Sequence, residues 1–297
     1  MVLPADGHVH TEWSWDAPDG SMERTCERAV EMGLPAVAFT EHADYTTWPV
    51  TASDLDERLQ PLIASDGTLT PPELNLTGYL ECLQRCRDRF PDLRIISGVK
   101  LGEPHWHSGV VAMLLDAGHF DRVLGSLHSL PIGQQFFEMP ELYRRRPATE
   151  VVREYLTEIP RVISSSDAFA VLAHIEYPVA YWPGQAGPFD PTSFQDEFRH
   201  ALRALADSGR ALEVNTKVPV HPEIVAWWRE EGGEAITFGS DAHDPTVLAR
   251  GFSDAAAMAE AHGFRPADIP MTSGGVSTDL SELRSALALL VSDKSAK

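Results

Sequence analysis

Asp6-Gly7-His8-Val9-His10 closes the first apolar run of this chain with two histidines one residue apart. Side chains alternate along a strand with period two, so both imidazoles leave it on the same side. The same event recurs further along. Thr40-Glu41-His42 closes the run at 36–39, and Gly102-Glu103 closes 95–101. His128 follows 123–127, His174 follows 170–173, and Asp241-Ala242-His243 follows 235–240. Six segments thus deliver His, Asp or Glu at one relative place. In a closed ring of parallel strands every strand end opens onto one shared face. An open doubly wound sheet concentrates its site at a switch point instead. The prediction is an α/β barrel with a multi-metal site at one mouth.

The rest of the chain fits that frame. Short apolar runs are predicted as strands at 4–10, 36–40, 94–101, 122–127, 169–174, 211–215 and 235–239. Helical spacing of apolar residues covers 21–32, 73–90, 149–164, 192–208, 222–231 and 246–262. Gly33 and Gly209 sit just past two of these helices, where a left-handed residue is favoured. Residues 1–291 read as one barrel domain and 292–297 as a polar, frayed tail. The connections at 43–72 and 129–148 are long for a compact domain and read as walls or lids of a pocket.

Composition narrows the function. The chain has 297 residues and a formal charge of −20, which argues against a long nucleic acid as partner. A small phosphorylated substrate is still allowed, because bound cations reverse the local field. The three cysteines, Cys26, Cys82 and Cys86, do not form a disulfide framework. They read as small core residues. No basic-plus-apolar signal region opens the chain and no apolar run reaches the length of a membrane span, so the setting is expected to be cytoplasmic.

Histidine with aspartate and glutamate suits Zn, Mn or Fe, and the lack of thiolates in the set excludes a closed structural zinc knot. Two cations about 3.5–4 Å apart call for a bridging carboxylate, and Glu103 ends the third strand. His105-Trp106-His107 reads as pocket wall or surface. His119, His200, His221 and His262 are assigned to solvent.

In order, His8-Val9-His10, Thr40-Glu41-His42, Gly102-Glu103, Gly125-Ser126-Leu127-His128, Ala173-His174 and Gly239-Ser240-Asp241-Ala242-His243 resemble the polymerase-and-histidinol-phosphatase (PHP) family across nearly the whole chain. The resemblance implies a distorted (β/α)7 barrel and three divalent ions. His8, His10, Glu103 and Asp241 would hold the first. Glu103, His128 and His174 would hold the second, with Glu103 shared. Asp16, His42 and His243 would hold the third. Many relatives have histidine where Asp16 stands, and an oxygen donor there favours Mn or Fe. Glu41 would orient a neighbouring ligand.

The implied activity is histidinol-phosphatase, a step of histidine biosynthesis. L-histidinol phosphate and water would give L-histidinol and phosphate by attack of a metal-bridging hydroxide, with Asp241, His243 or a metal-bound water as leaving-group acid. Arg144, Arg145, Arg146 and Lys217 are the candidate phosphate contacts. Family phosphatases often carry a basic residue soon after the fifth-strand histidine, but 175–182 contains none. Glu176 in that stretch would instead face the substrate amine. Two alternatives stand beside this reading. One is a nucleotide or short-oligonucleotide phosphoesterase on the same site, and the other is a non-catalytic binding module.

Overall fold

The computed structural model describes residues 3–264. Seven parallel strands run in chain order: β1 (Asp6–Val9), β2 (Ala36–Ala43), β3 (Arg94–Gly102), β4 (Arg122–Ser126), β5 (Val171–Leu172), β6 (Ala211–Asn215) and β7 (Ile236–Gly239). Backbone bonds just past β7 bring the ends of the sheet together. Asp241 N–H donates to His8 O at 2.9 Å and His10 N–H to Ala242 O at 2.8 Å. Val9 and Ala242 form an isolated parallel bridge. The result is a nearly closed, distorted (β/α)7 barrel, as expected.

Around it lie α1 (Met22–Met32), α2 (Leu76–Arg89), α3 (Ser108–Gly118), α4 (Ala148–Ser164), α5 (Gln195–Asp207), α6 (Pro222–Glu230) and α7 (Phe252–Ala261). Covered strands need no polar face, and every residue of β1, β2, β4, β5, β6 and β7 is buried. The helices are one-sided instead. Val151, Val152, Tyr155, Leu156, Ile159, Val162 and Ile163 form the buried stripe of α4. Ser21 caps α1 by accepting Arg24 N–H, and Gly33 ends that helix at φ 67°. The three cysteines are free and buried and belong to the main apolar core.

The structure departs from the expected elements in four places. Helix α3 was not expected, because Asp116 is its only charged residue and no wet stripe marks it. The fifth strand is two residues long because His174 turns to φ 58°. The helix expected over 246–262 is broken before α7 by Gly251 at φ 72°. Both long connections contain small antiparallel ribbons, Trp48–Pro49 with Thr68–Leu69 and Ser129–Ile132 with Gln135–Glu138. The second ribbon runs into a short helix, Met139–Arg145. The expected boundary at 291 and the tail at 292–297 lie outside the described residues. Among those residues no helix is long and apolar enough to cross a membrane.

Tyr79 of α2 is fully buried. Its hydroxyl donates to Phe39 O of β2 and accepts Gly98 N–H of β3, each at 2.8 Å. Tyr79→Phe leaves both backbone groups unsatisfied, so it should lower stability by about 1–3 kcal/mol. Urea unfolding checks this, and a change under about 0.5 kcal/mol would show that the bridge is dispensable.

Candidate functional site

The strand ends meet at one mouth. His8 Nε2 and His10 Nε2 lie 3.0 Å apart, and each is 3.2 Å from Asp241 Oδ1. A second group stands beside it, where Asp16 Oδ2 is 3.2 Å from Nε2 of both His42 and His243. The rings of His10 and His42 stack between the groups, with centroids 4.2 Å apart. Ligand atoms of His8, His174 and Asp241 all fall within 4.8 Å of one another, as do those of His10, His42 and His243.

Acceptors behind the rings aim them inward. Glu213 Oε1 lies 2.6 Å from His8 Nδ1, and Asp44 Oδ2 lies 2.6 Å from His42 Nδ1. A carboxylate can only accept, so each Nδ1 carries the proton, and the Nε2 of a neutral ring then presents its lone pair to the mouth. The Ser14 hydroxyl sits 2.9 Å from His10 Nδ1 and donates to Glu41 Oε2 at 2.5 Å. Glu41 also accepts Thr11 N–H and O–H. It therefore touches the site only through Ser14.

The electrostatics favour added positive charge. Burial opposes protonation of His42, but Asp16 and Asp44 outweigh it and push its pKa up to about 9. Burial would neutralise Asp241, yet Lys217 and Lys100 hold its pKa well below the usual carboxylate range. Among the described residues, Asp16 Oδ1, His42 Nε2, Asp44 Oδ1 and Asp241 Oδ1 are buried polar atoms without a hydrogen-bond partner. Native interiors rarely leave such atoms alone. Oxygen and imidazole nitrogen atoms converging in this way fit a divalent cation.

Three of the expected donors also meet partners from the chain itself. Glu103 Oε1 accepts the N–H groups of His128 at 2.6 Å and Ser129 at 3.0 Å. Its Oε2 accepts the Thr46 hydroxyl at 2.7 Å, and burial raises its pKa to about 7. Oε1 thus serves the backbone that follows β4 and Oε2 the Thr46 hydroxyl, so Glu103 is tied to neighbouring segments of the barrel mouth. His128 Nδ1 is 3.7 Å from Asp44 Oδ1. His174 Nε2 faces the Lys100 ammonium at 3.2 Å. Glu103, His174 and Asp241 have φ of 45°, 58° and 49°. This left-handed region is unfavourable for residues with a Cβ, and it bends each side chain out of the strand direction.

A cavity of about 230 Å³ opens above the site, lined by Trp15, Trp48, Tyr177, Tyr181, Glu138 and Lys217 among others. Lys217 stands at its edge, 43% exposed and 3.0 Å from Asp241 Oδ2. The arginines expected to bind phosphate do not line the cavity. Arg144 pairs with Asp54 and Glu141, Arg145 with Glu141, and Arg146 with Glu154. Their charges are already compensated by these carboxylates, of which Asp54 and Glu141 line the cavity. Glu176 is also misplaced by the sequence reading. It is buried beneath the site, with neither carboxylate oxygen hydrogen-bonded, and it does not line the cavity. His105 is likewise turned away, 3.2 Å from Glu158.

Sequence reasoning missed Asp44, Glu213, Ser14 and Lys100. Two glycines mark where the first two fit. A Cβ on Gly102 would lie 2.3 Å from Asp44 Oδ1, and one on Gly239 would lie 2.2 Å from Glu213 Oε1. Glu213 and Asn215 stand two apart on β6, and that spacing could have revealed a polar inner face.

A parallel barrel with clustered His and Asp side chains at one mouth defines a class of metal-binding α/β proteins. Within that class, the PHP domain model matches residues 6–217, and the chain belongs to that family. Its relatives include the histidinol-phosphatase of Lactococcus lactis subsp. lactis IL1403, 26% identical over 80% of this chain and 83% of the relative. A probable histidinol-phosphatase of Thermotoga maritima is 30% identical over 84% of this chain and 88% of its own length. Among solved structures, the Lactococcus lactis histidinol phosphate phosphatase complexed with Zn, L-histidinol and phosphate superposes with a TM-score of 0.75. It shares 24% identity and covers 89% of this chain and 95% of its own.

Replacing Glu41 by alanine removes the acceptor for Thr11 N–H and the Thr11 and Ser14 hydroxyls, so stability should fall by about 2–4 kcal/mol. A denaturant midpoint unchanged in Glu41→Ala would refute this supporting role.

Proposed function

We propose that this protein is a metal-dependent phosphomonoesterase acting on L-histidinol phosphate. The observation that carries the reading is the pair of donor groups with unsatisfied buried atoms, set on the floor of a small cavity. His8, His10 and Asp241 would hold one ion, and Asp16, His42 and His243 another. Zn, Mn or Fe held there would supply a water of pKa lowered from about 16 toward 7 and would draw charge from phosphoryl oxygens.

The remaining work falls to the chain. Lys217 places an ammonium at the cavity edge, where it would take a phosphoryl oxygen and neutralise charge as the ester breaks. Asp241 is kept ionised by its lysine neighbours, so it serves as an anionic anchor. An ionised Asp241 has no proton to give, which speaks against it as the leaving-group acid. His243 Nδ1–H donates to the Asp241 carbonyl oxygen at 2.9 Å, so in this reading Nε2, 3.2 Å from Asp16 Oδ2, would be its ligand atom. Trp15 and Trp48 pack 6.2 Å apart between ring centroids and form an apolar wall. Burial raises the pKa of Glu138 to about 8, with Glu103 and Asp44 adding to the rise. A cationic amine entering the cavity would relieve that concentration of negative charge and restore the ionised carboxylate. Phosphate at Lys217 and amine toward Glu138 is the polarity of histidinol phosphate. The relatives named as histidinol-phosphatases support the same substrate.

Phosphate release from histidinol phosphate, measured with Mn²⁺, Zn²⁺ or Fe²⁺ present, should exceed that from nucleoside monophosphates by roughly a hundredfold in kcat/KM. A nucleotide preference would overturn the substrate, and no release from any ester would overturn the enzyme. His10→Ala should lower kcat/KM about a thousandfold with unchanged circular dichroism. Lys217→Ala should raise KM by roughly tenfold. Wild-type kinetics in both variants would place the chemistry elsewhere.

A further inference from the structure

We propose that Lys100 fills the place of one divalent ion, so that this chain binds two such ions at its barrel mouth and not the three expected from the resemblance. The inference rests on reading the mouth as a metal centre. Lys100 lies within β3, in register with His42 of β2 and Leu124 of β4. Its side chain is only 2% exposed, and it lines the cavity floor beside His128, His174 and Asp241. A lysine is rarely this buried without a partner. Here the ammonium lies 3.2 Å from His174 Nε2 and 3.9 Å from Asp241 Oδ1.

That geometry conflicts with an ion held by Glu103, His128 and His174. An ammonium has donors only, so the ring nitrogen facing it must offer its lone pair. The same lone pair cannot bind a metal. A fixed positive charge a few ångströms away also repels a dication in any dielectric. Glu103, the carboxylate expected there, spends Oε1 on the N–H groups of His128 and Ser129 and accepts the Thr46 hydroxyl at Oε2. The ammonium does part of the missing ion's work, since it helps to neutralise Asp241 and presents a single positive charge to whatever enters the cavity. Asp241 also neighbours Lys100 and Lys217, but its Oδ1 lies closer to the His8 and His10 ring nitrogens, 3.2 Å each, than to the Lys100 ammonium at 3.9 Å.

The test counts ions. Metal-free protein is reloaded with excess Mn²⁺ or Zn²⁺, desalted, and examined by elemental analysis and native mass spectrometry. Wild type should carry two ions per chain. Lys100→Glu puts an acceptor of similar reach in the same place, and it should carry three. If that variant fails to fold by circular dichroism, Lys100→Gln removes the charge with less disturbance and should bind a third ion at least tenfold more tightly than wild type. Three ions in wild type would overturn the proposal and leave the metal reading standing. Two ions in the folded Lys100→Glu variant, or unchanged third-ion affinity in Lys100→Gln, would also overturn it. An ion-free wild type would remove both.

Discussion

The seam between β1 and the segment after β7 is the constraint on which the rest depends. Two backbone hydrogen bonds across it, Asp241 N–H to His8 O and His10 N–H to Ala242 O, put the last strand end in register with the first. Only in that register does the Asp241 carboxylate sit between two imidazoles supplied more than 230 residues earlier. Asp6 holds the seam from beneath, accepting Ser240 N–H at 3.0 Å and Ala249 N–H at 3.1 Å. Burial nonetheless pushes the pKa of Asp6 up to about 6. The barrel accepts a costly buried acid there because it locks the ends of the ring together.

The mouth repeats one device. A ring nitrogen on the wall side is tied to an acceptor, and the other nitrogen faces the centre. Glu213 does this for His8, Asp44 for His42, and the Ser14 hydroxyl, itself anchored on Glu41, for His10. The same acceptors pull positive charge toward the centre. Proton, ammonium and metal ion therefore compete for one electrostatic well, and Lys100 is the competitor that the chain supplies covalently. The strained φ angles at Glu103, His174 and Asp241 belong to the same economy, since side chains leaving a strand straight ahead would miss the centre.

Much of this was legible in the sequence. Six of the seven expected strands lead into a His, Asp or Glu, as expected where a parallel barrel places its strand ends on one face, and period-two spacing identified His8 and His10 as a pair. What could not be read has physical reasons. Lys100 sits inside an apolar run, and a lysine there reads as a stem along the strand with its head in water. Only the ring closure shows that its head ends among His174 and Asp241 at the barrel mouth. Glu103 has the right type at the right place, but its left-handed turn brings it to backbone N–H groups that no sequence pattern marks. Three successive arginines look like a phosphate site until Asp54 arrives from far along the chain, and Glu141 of the same short helix and Glu154 of the next pair with the rest. Helix α3 lacks a polar stripe, so periodicity passes over it.

The account stands or falls on where cations sit. Anomalous diffraction from crystals grown with Mn²⁺ measures this directly. The account predicts one peak bounded by His8, His10 and Asp241, and a second bounded by Asp16, His42 and His243. Crystals in which those side chains are ordered and the barrel mouth shows no anomalous peak would contradict it.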